Sequence, residues 1–243
     1  MQKVIYEDLG KIDYQKAWDY QTARHNEVKG EKWEIRHLPK EELEQIEKKH
    51  FLIFCEHPPV FTLGKSGSLD HLLLNEEGLK QKGIDFYKIN RGGDITFHGP
   101  GQIVGYPIFD MDGFYNDVHK YVRDLEEVII RTLAEVGINA GREEGFTGVW
   151  LKATKSKPKR KICAIGVHMS RWVTLHGFAF NINTDLNYFN FIVPCGIGDK
   201  DKVVTSLEAE LGKKIEVDKI KDILKKHFAS LFGFEYKQEL RNH

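Results

Sequence analysis

The chain has 243 residues, 41% apolar and 30% charged, a balance suited to a folded globular protein and too apolar for disorder. Its 36 basic and 36 acidic residues cancel, which argues against nucleic acid as the main partner, because phosphate binding leaves a basic excess. No stretch approaches the roughly 18 apolar residues of a membrane span, and MQKVIYEDLGKIDY at the start lacks the apolar core of a secretory signal.

In chain order, Tyr14 to Asn26 reads as a helix with Asp13 as its N-cap. Leu38 to Lys49 reads as a second helix, acidic early and basic late, as the helix dipole favours. FLIFCEH, Phe51 to His57, is a continuous apolar run of the kind found in buried strands, and Pro58 and Pro59 stop it. Between Ser66 and Lys82, Leu69, Leu72 and Leu73 recur at helical spacing, and Ile84 to Ile89 is a strand candidate. The glycine-rich RGGDITFHGPGQ reads as an irregular loop and IVGYPIF as a strand.

Asn116 to Val136 gives the clearest helix, with Val118, Val122, Leu125, Ile129, Leu133 and Val136 on one face and Gly137 as the stop. Thr147 to Leu151 and Ile162 to Met169 read as strands joined by the polar basic loop KATKSKPKRK. Trp172 to Ile182 is a strand whose alternation slips near Gly177, the sign of a bulge or a close backbone approach. Thr205 and Glu208 form a capping-box pattern for a short helix ended by Gly212, and Asp218 caps a last amphipathic helix. Helices scattered among many strands, without repeats or a break in composition, predict an α+β fold in one domain spanning residues 1–243.

Two stretches carry possible chemistry. The loop Arg91 to Gln102 holds four glycines and a proline; such a loop brings backbone close to a ligand and exposes N–H groups to an oxyanion. It matches neither a Walker loop nor a dinucleotide fingerprint, and a plain turn between strands is the competing reading. Three cysteines, Cys55, Cys163 and Cys195, cannot all pair within the chain and show no C-x-x-C spacing, so a reducing, cytosolic setting fits better than a disulfide framework or a zinc site. Cys55 and Cys163 sit in apolar runs as small hydrophobes do. Cys195, in VPCGI, is either a turn cysteine or a nucleophile. As a nucleophile it needs a cation or base to form the thiolate, for which Lys161, His98, His168 and His176 are candidates.

RGGDITFHGPGQIVGYP, KICAIGVHMSRWVTLHGFAFNI and FIVPCGI, in that order, resemble the lipoyl(octanoyl) transferase family, with DYQKAWDYQ and HPPVFTLGKSG similar to its N-terminal segments. The resemblance runs from about Leu9 to about Glu210. It implies a mixed β-sheet flanked by helices, as in biotin and lipoate protein ligases. It also implies transfer of an octanoyl group from the phosphopantetheine of acyl carrier protein to a lysine of lipoyl domains, in 2-oxoacid dehydrogenases and the glycine cleavage H protein. No ATP, metal, nucleic acid or membrane is expected to take part, and a monomer is expected. Cys195 corresponds to the cysteine that carries the acyl group as a thioester, and Lys161, opening its strand, to the lysine that activates it. Arg91, Gly92, Gly93, Asp94, Ile95, Thr96, Phe97 and His98 correspond to substrate-binding positions, as do Ala164, Ile165, Gly166, Gly177, Phe178 and Ala179. Asp94 stands where the family commonly has glutamine and Phe97 where it has tyrosine; loss of the phenol would remove a hydrogen bond near the acyl chain. KATKSKPKR is longer than the family's loop.

Overall fold

A computed structural model describes residues 1–43, 45–193 and 202–237. In chain order the elements are β1 (Gln2–Lys11), α1 (Tyr14–Ile35), α2 (Lys40–Leu43), β2 (Phe51–Glu56), β3 (Val60–Leu63), α3 (Glu76–Lys82), β4 (Asp85–Lys88), β5 (Ile95–His98), β6 (Gln102–Ile108), α4 (Val118–Glu135), β7 (Gly141–Glu143), β8 (Phe146–Leu151), β9 (Lys159–Ser170), β10 (Val173–Asn181), β11 (Lys202–Val204), α5 (Leu207–Leu211), α6 (Val217–Phe232) and β12 (Phe234–Tyr236). Among the described residues, nine strands form one mixed sheet in the order β12-β1-β2-β6-β10-β9-β8-β7, with β11 parallel to β9. A smaller sheet, β4-β3-β5, lies apart from it.

The apolar run of β2 is continuous because the sheet is covered on both faces. Phe51, Ile53 and Cys55 share a core with Ala17 and Val28 of α1. Leu52 and Phe54 point the other way, into a larger core with Leu125 and Ile129 of α4 and Leu224 and Phe228 of α6. The arrangement is α+β, a mixed sheet flanked by helices, as the sequence predicts.

Several local expectations change. Asp13 caps α1 by accepting from the Lys16 N–H at 3.1 Å, but the helix continues past Asn26 to Ile35. Its inward face includes the polar Gln21 and His25, so no apolar stripe marks its length. The helix expected over Leu38 to Lys49 shrinks to α2; residues 45–50 lead into β2, and Lys49 pairs with Glu27 and Glu31 of α1. Ser66 to Lys82 holds a 3-10 turn, Leu69–His71, and then α3.

The glycine-rich stretch is not all loop, since β5 lies inside it and pairs with β3. Val118 of α4 is exposed, and the inward stripe is Tyr121, Leu125, Val128, Ile129 and Leu133. Ser206, not Thr205, caps α5, accepting from the Ala209 N–H at 3.2 Å, while the Thr205 hydroxyl donates to Glu210 at 2.7 Å. Glu216 precedes α6, and Asp218 falls in its first turn, where a carboxylate still favours the positive end of the helix.

Phe54 has no solvent exposure, and its ring lies 5.4 Å from Tyr6, 6.0 Å from Phe178 and 6.3 Å from Phe228, centroid to centroid. Phe54→Ala is expected to lower stability by about 3–5 kcal/mol, read from denaturant unfolding at constant m-value.

Candidate active site

A cavity of about 340 Å³ opens where the glycine-rich loop crosses β9 and β10, within the size range of small-molecule sites. The loop is held on two sides. Lys65 N–H donates to the Arg91 carbonyl at 3.0 Å on one side, and Gly92 N–H donates to the Val167 carbonyl of β9 at 2.9 Å on the other. A Cβ on Gly166 would sit 2.8 Å from the Gly92 carbonyl oxygen, and one on Gly177 would sit 2.2 Å from that of Gly105. These glycines let the loop approach β9, and β10 approach β6, closely. The slip expected near Gly177 is this approach, and the residue before it, His176, has φ +61°.

A buried chain of polar groups ties the loop to the sheet. Arg91 Nη2 donates to the Thr62 carbonyl at 2.7 Å and to its hydroxyl at 2.9 Å. The Thr62 hydroxyl lies 3.2 Å from His98 Nε2, and His98 Nδ1 lies 2.9 Å from Gln102 Oε1. Gln102 Nε2 donates to Asn181 Oδ1 at 2.8 Å, and Asn181 Nδ2 donates to the Thr205 carbonyl at 3.0 Å. Thr205 N–H in turn donates to the Lys161 carbonyl at 2.9 Å. Burial above all, with the Arg91 charge nearby, pushes the His98 pKa well down. The ring is therefore neutral, donating from Nδ1 to Gln102 and accepting at Nε2 from Thr62.

Other imidazoles are held neutral too. Burial first, then Arg91, lowers His176 to about 3; its Nε2 donates to Asn90 Oδ1 at 2.7 Å. Burial also lowers His57, whose Nδ1 donates to the Ile12 carbonyl at 2.9 Å and whose Nε2 accepts from the Tyr106 hydroxyl at 2.8 Å. Burial holds the Tyr106 phenol well above its ordinary pKa, hence protonated.

Of the residues singled out in the sequence, Arg91, Gly92, Gly93, Asp94, Ile95, Thr96 and His98 line the cavity, as do Lys161, Ala164, Ile165, Gly166, Gly177, Phe178 and Ala179. Phe97 does not. Its ring is buried in an aromatic cluster, stacked 4.5 Å from Tyr188 and tilted against Phe61 at 5.6 Å. Lys161 is the third residue of β9 rather than its first. Asp94 accepts from the Ile95 N–H at 2.7 Å and pairs with His71 Nδ1. Cys195 lies in residues 194–201, outside the described residues.

The sequence reading missed Tyr14, Tyr106, Gln102 and Asn181 as cavity residues. The last two stand inside the motifs HGPGQ and HGFAFN, Gln102 opening β6 and Asn181 closing β10, and a polar residue at the end of an apolar strand is the available signal. Among the described residues no cluster of histidine, cysteine and carboxylate is arranged to hold a metal, and no helix is long and apolar enough to cross a membrane.

The family model of the lipoyl protein ligase A/B catalytic domain matches residues 13–229. The chain is 56% identical over 229 residues to an octanoyltransferase of Cytophaga hutchinsonii, covering 94% of this chain and 92% of that one. The chain belongs to the octanoyltransferase family. A second member, from Flavobacterium johnsoniae, is 53% identical across 96% of this chain and 98% of its own. As an octanoyltransferase-family protein it is an acyltransferase. Its fold is shared more widely: a chain from the structure of a bi-partite lipoate protein ligase of Thermoplasma acidophilum superposes with TM-score 0.70 at 14% identity, covering 98% of this chain and 87% of that one. A lipoate-protein ligase A bound with ATP gives 0.66 at 14%, covering 98% and 88%.

The buried histidines give this acyltransferase a stability that depends on pH. Burial lowers His25 and His50 to about 4 and His176 to about 3. Above the ordinary histidine pKa of about 6.5 both folded and unfolded chains are neutral there. Below it the unfolded chain takes up protons that the fold refuses, so stability falls as pH drops from about 6.5 toward 3. His176→Asn, which suits the left-handed backbone, is expected to lose less stability than the parent between pH 7 and 4, read by denaturant unfolding across a pH series.

Proposed function

We propose that the protein transfers an octanoyl group from acyl carrier protein to a lysine of lipoyl domains through a thioester on Cys195, with Lys161 as proton shuttle and the whole chain as one catalytic domain. The observation that carries the assignment concerns the other two thiols. Burial pushes the pKa values of Cys55 and Cys163 far up, and both are packed inside strands, so neither offers a thiolate to a substrate. The chemistry then falls to Cys195. Both flanks of its segment are tied to cavity elements. Val193 N–H donates to the His71 carbonyl at 2.8 Å, and His71 pairs with the cavity residue Asp94. On the far side, Val204 lines the cavity and pairs in register with Lys161.

In the proposed cycle the Cys195 thiolate attacks the carrier thioester. A new sulfur–acyl bond forms, the carrier sulfur leaves, and the Lys161 ammonium gives it a proton. The resulting neutral Lys161 amine takes a proton from the acceptor lysine as that amine attacks the enzyme thioester. Amide bond formation expels Cys195 as thiolate, and the Lys161 ammonium is restored. One thioester replaces another at little cost in energy, so the scheme needs neither ATP nor metal. Val104, Ile165, Val167, Phe178, Ala179 and Phe189 supply apolar wall for the acyl chain. Backbone N–H groups of the glycine-rich loop are the donors for the developing oxyanion. The acceptors are the lipoyl domains of 2-oxoacid dehydrogenases and the glycine cleavage H protein.

Intact-protein mass after mixing with octanoyl-loaded carrier, without ATP, is expected to show one octanoyl adduct, mapping to Cys195 and discharged by apo lipoyl domain. Transfer that appears only with ATP and free octanoate would replace this reading with a ligase. Cys195→Ser is expected to abolish the adduct, and Lys161→Ala to slow transfer by at least about 100-fold, with melting curves unchanged; near-parent turnover by either variant would remove its assigned role.

A further inference from the structure

Two aromatic rings of β8, Phe146 and Trp150, lie 5.8 Å apart, and each carries a lysine. Lys161 Nζ is 4.6 Å from the centre of the Trp150 ring, and Lys202 Nζ is 4.7 Å from that of Phe146. The register of β8 and β9 shifts between Val149 and Trp150, which sets Trp150 directly opposite Lys161. Cross-strand partners of this kind are within easy contact. Gly148, with φ +113°, brings β8 close enough that a Cβ there would lie 3.7 Å from Lys161 Cε.

Trp150 is 2% exposed, yet among the described residues its indole N–H has no hydrogen-bond partner. An unpaired buried donor is a cost that phenylalanine would not incur. What indole adds is the strongest attraction of any side-chain ring for a cation at its face.

We propose that Trp150 is a positioning residue for the transfer reaction: its indole face fixes the Lys161 ammonium at the cavity wall and so sustains the thiolate of Cys195. The inference rests on the roles assigned to Lys161 and Cys195 above. The ring favours the ammonium over the neutral amine, so its effect falls on acylation, which starts from the ammonium–thiolate pair. Attack by the acceptor lysine, which starts from the neutral amine, gains nothing from the ring.

The test is the rate of Cys195 alkylation by iodoacetamide at pH 7, followed by intact mass and peptide mapping. It compares the parent, Trp150→Leu, Trp150→Phe, Lys161→Met and the Trp150→Leu/Lys161→Met double variant. Cys55 and Cys163 are buried and held protonated, so the early signal belongs to Cys195. Trp150→Leu is expected to slow alkylation roughly threefold to tenfold, Trp150→Phe to slow it less, and Trp150→Leu to add nothing once Lys161 is gone. Equal slowing with and without Lys161 would reduce Trp150 to a packing residue and overturn the inference. Slowing by Lys161→Met but not by Trp150→Leu would overturn it too, while leaving the lysine–cysteine pair standing. Alkylation unchanged in Lys161→Met would instead overturn the pair itself. If melting curves show that Trp150→Leu does not fold, Trp150→Phe carries the same comparison with a smaller expected loss.

Discussion

The cavity depends on one buried line of hydrogen bonds, from Arg91 through Thr62, His98, Gln102 and Asn181 to Thr205. Thr62, Gln102, Asn181 and Thr205 are all at most 4% exposed. Water cannot replace a lost partner there, and each orphaned group would cost about 1–3 kcal/mol. The line therefore acts as a unit. It joins the small sheet, the glycine-rich loop and the main sheet, and it ends on the residue whose N–H bonds the Lys161 carbonyl. The neutral His98 suits this continuity, because its bare Nε2 accepts from the Thr62 hydroxyl while that oxygen accepts from Arg91.

Close backbone approach is the second constraint, and it follows from the first. The loop reaches its polar partners only by lying against β9, and β10 only by lying against β6. Gly166 and Gly177 allow this because any side chain would enter the space of a neighbouring carbonyl. The space thus shaped has apolar walls from Val104, Ile165, Val167 and Phe178, with loop residues Gly92 and Gly93 at its edge.

Cys55 and Cys163 show how burial sets the chemistry of a thiol. Cys55 takes part in the α1-facing core and Cys163 in the core under α4. Desolvation of the thiolate keeps both protonated. Lys161, the proposed proton shuttle, instead sits among cavity residues with an aromatic ring beneath it. Burial silences two thiols, and in the proposed cycle a cation beside an aromatic face favours charge at Cys195.

The sequence by itself determined the elements whose signal is local. The two-sided run of β2, the apolar stripe of α4, the stop at Gly137 and the motif strands around Gly166 and Gly177 are all legible from spacing and residue type. The family motifs also marked most of the cavity wall. Tertiary structure decided the rest. β1 has only Val4 fully buried among charged neighbours, so no alternation announces it; its strand character comes from parallel pairing with β2 and β12. Beyond Asn26, α1 runs on because Val28 enters the core against β2 and Lys32 pairs with Asp110 and Asp112. The turning of Phe97 away from the cavity, the pairing of His71 with Asp94, and the seat of Lys161 on Trp150 join segments that local spacing does not relate. Periodicity is written within one turn or one strand, whereas these contacts exist only once distant strands have set their register.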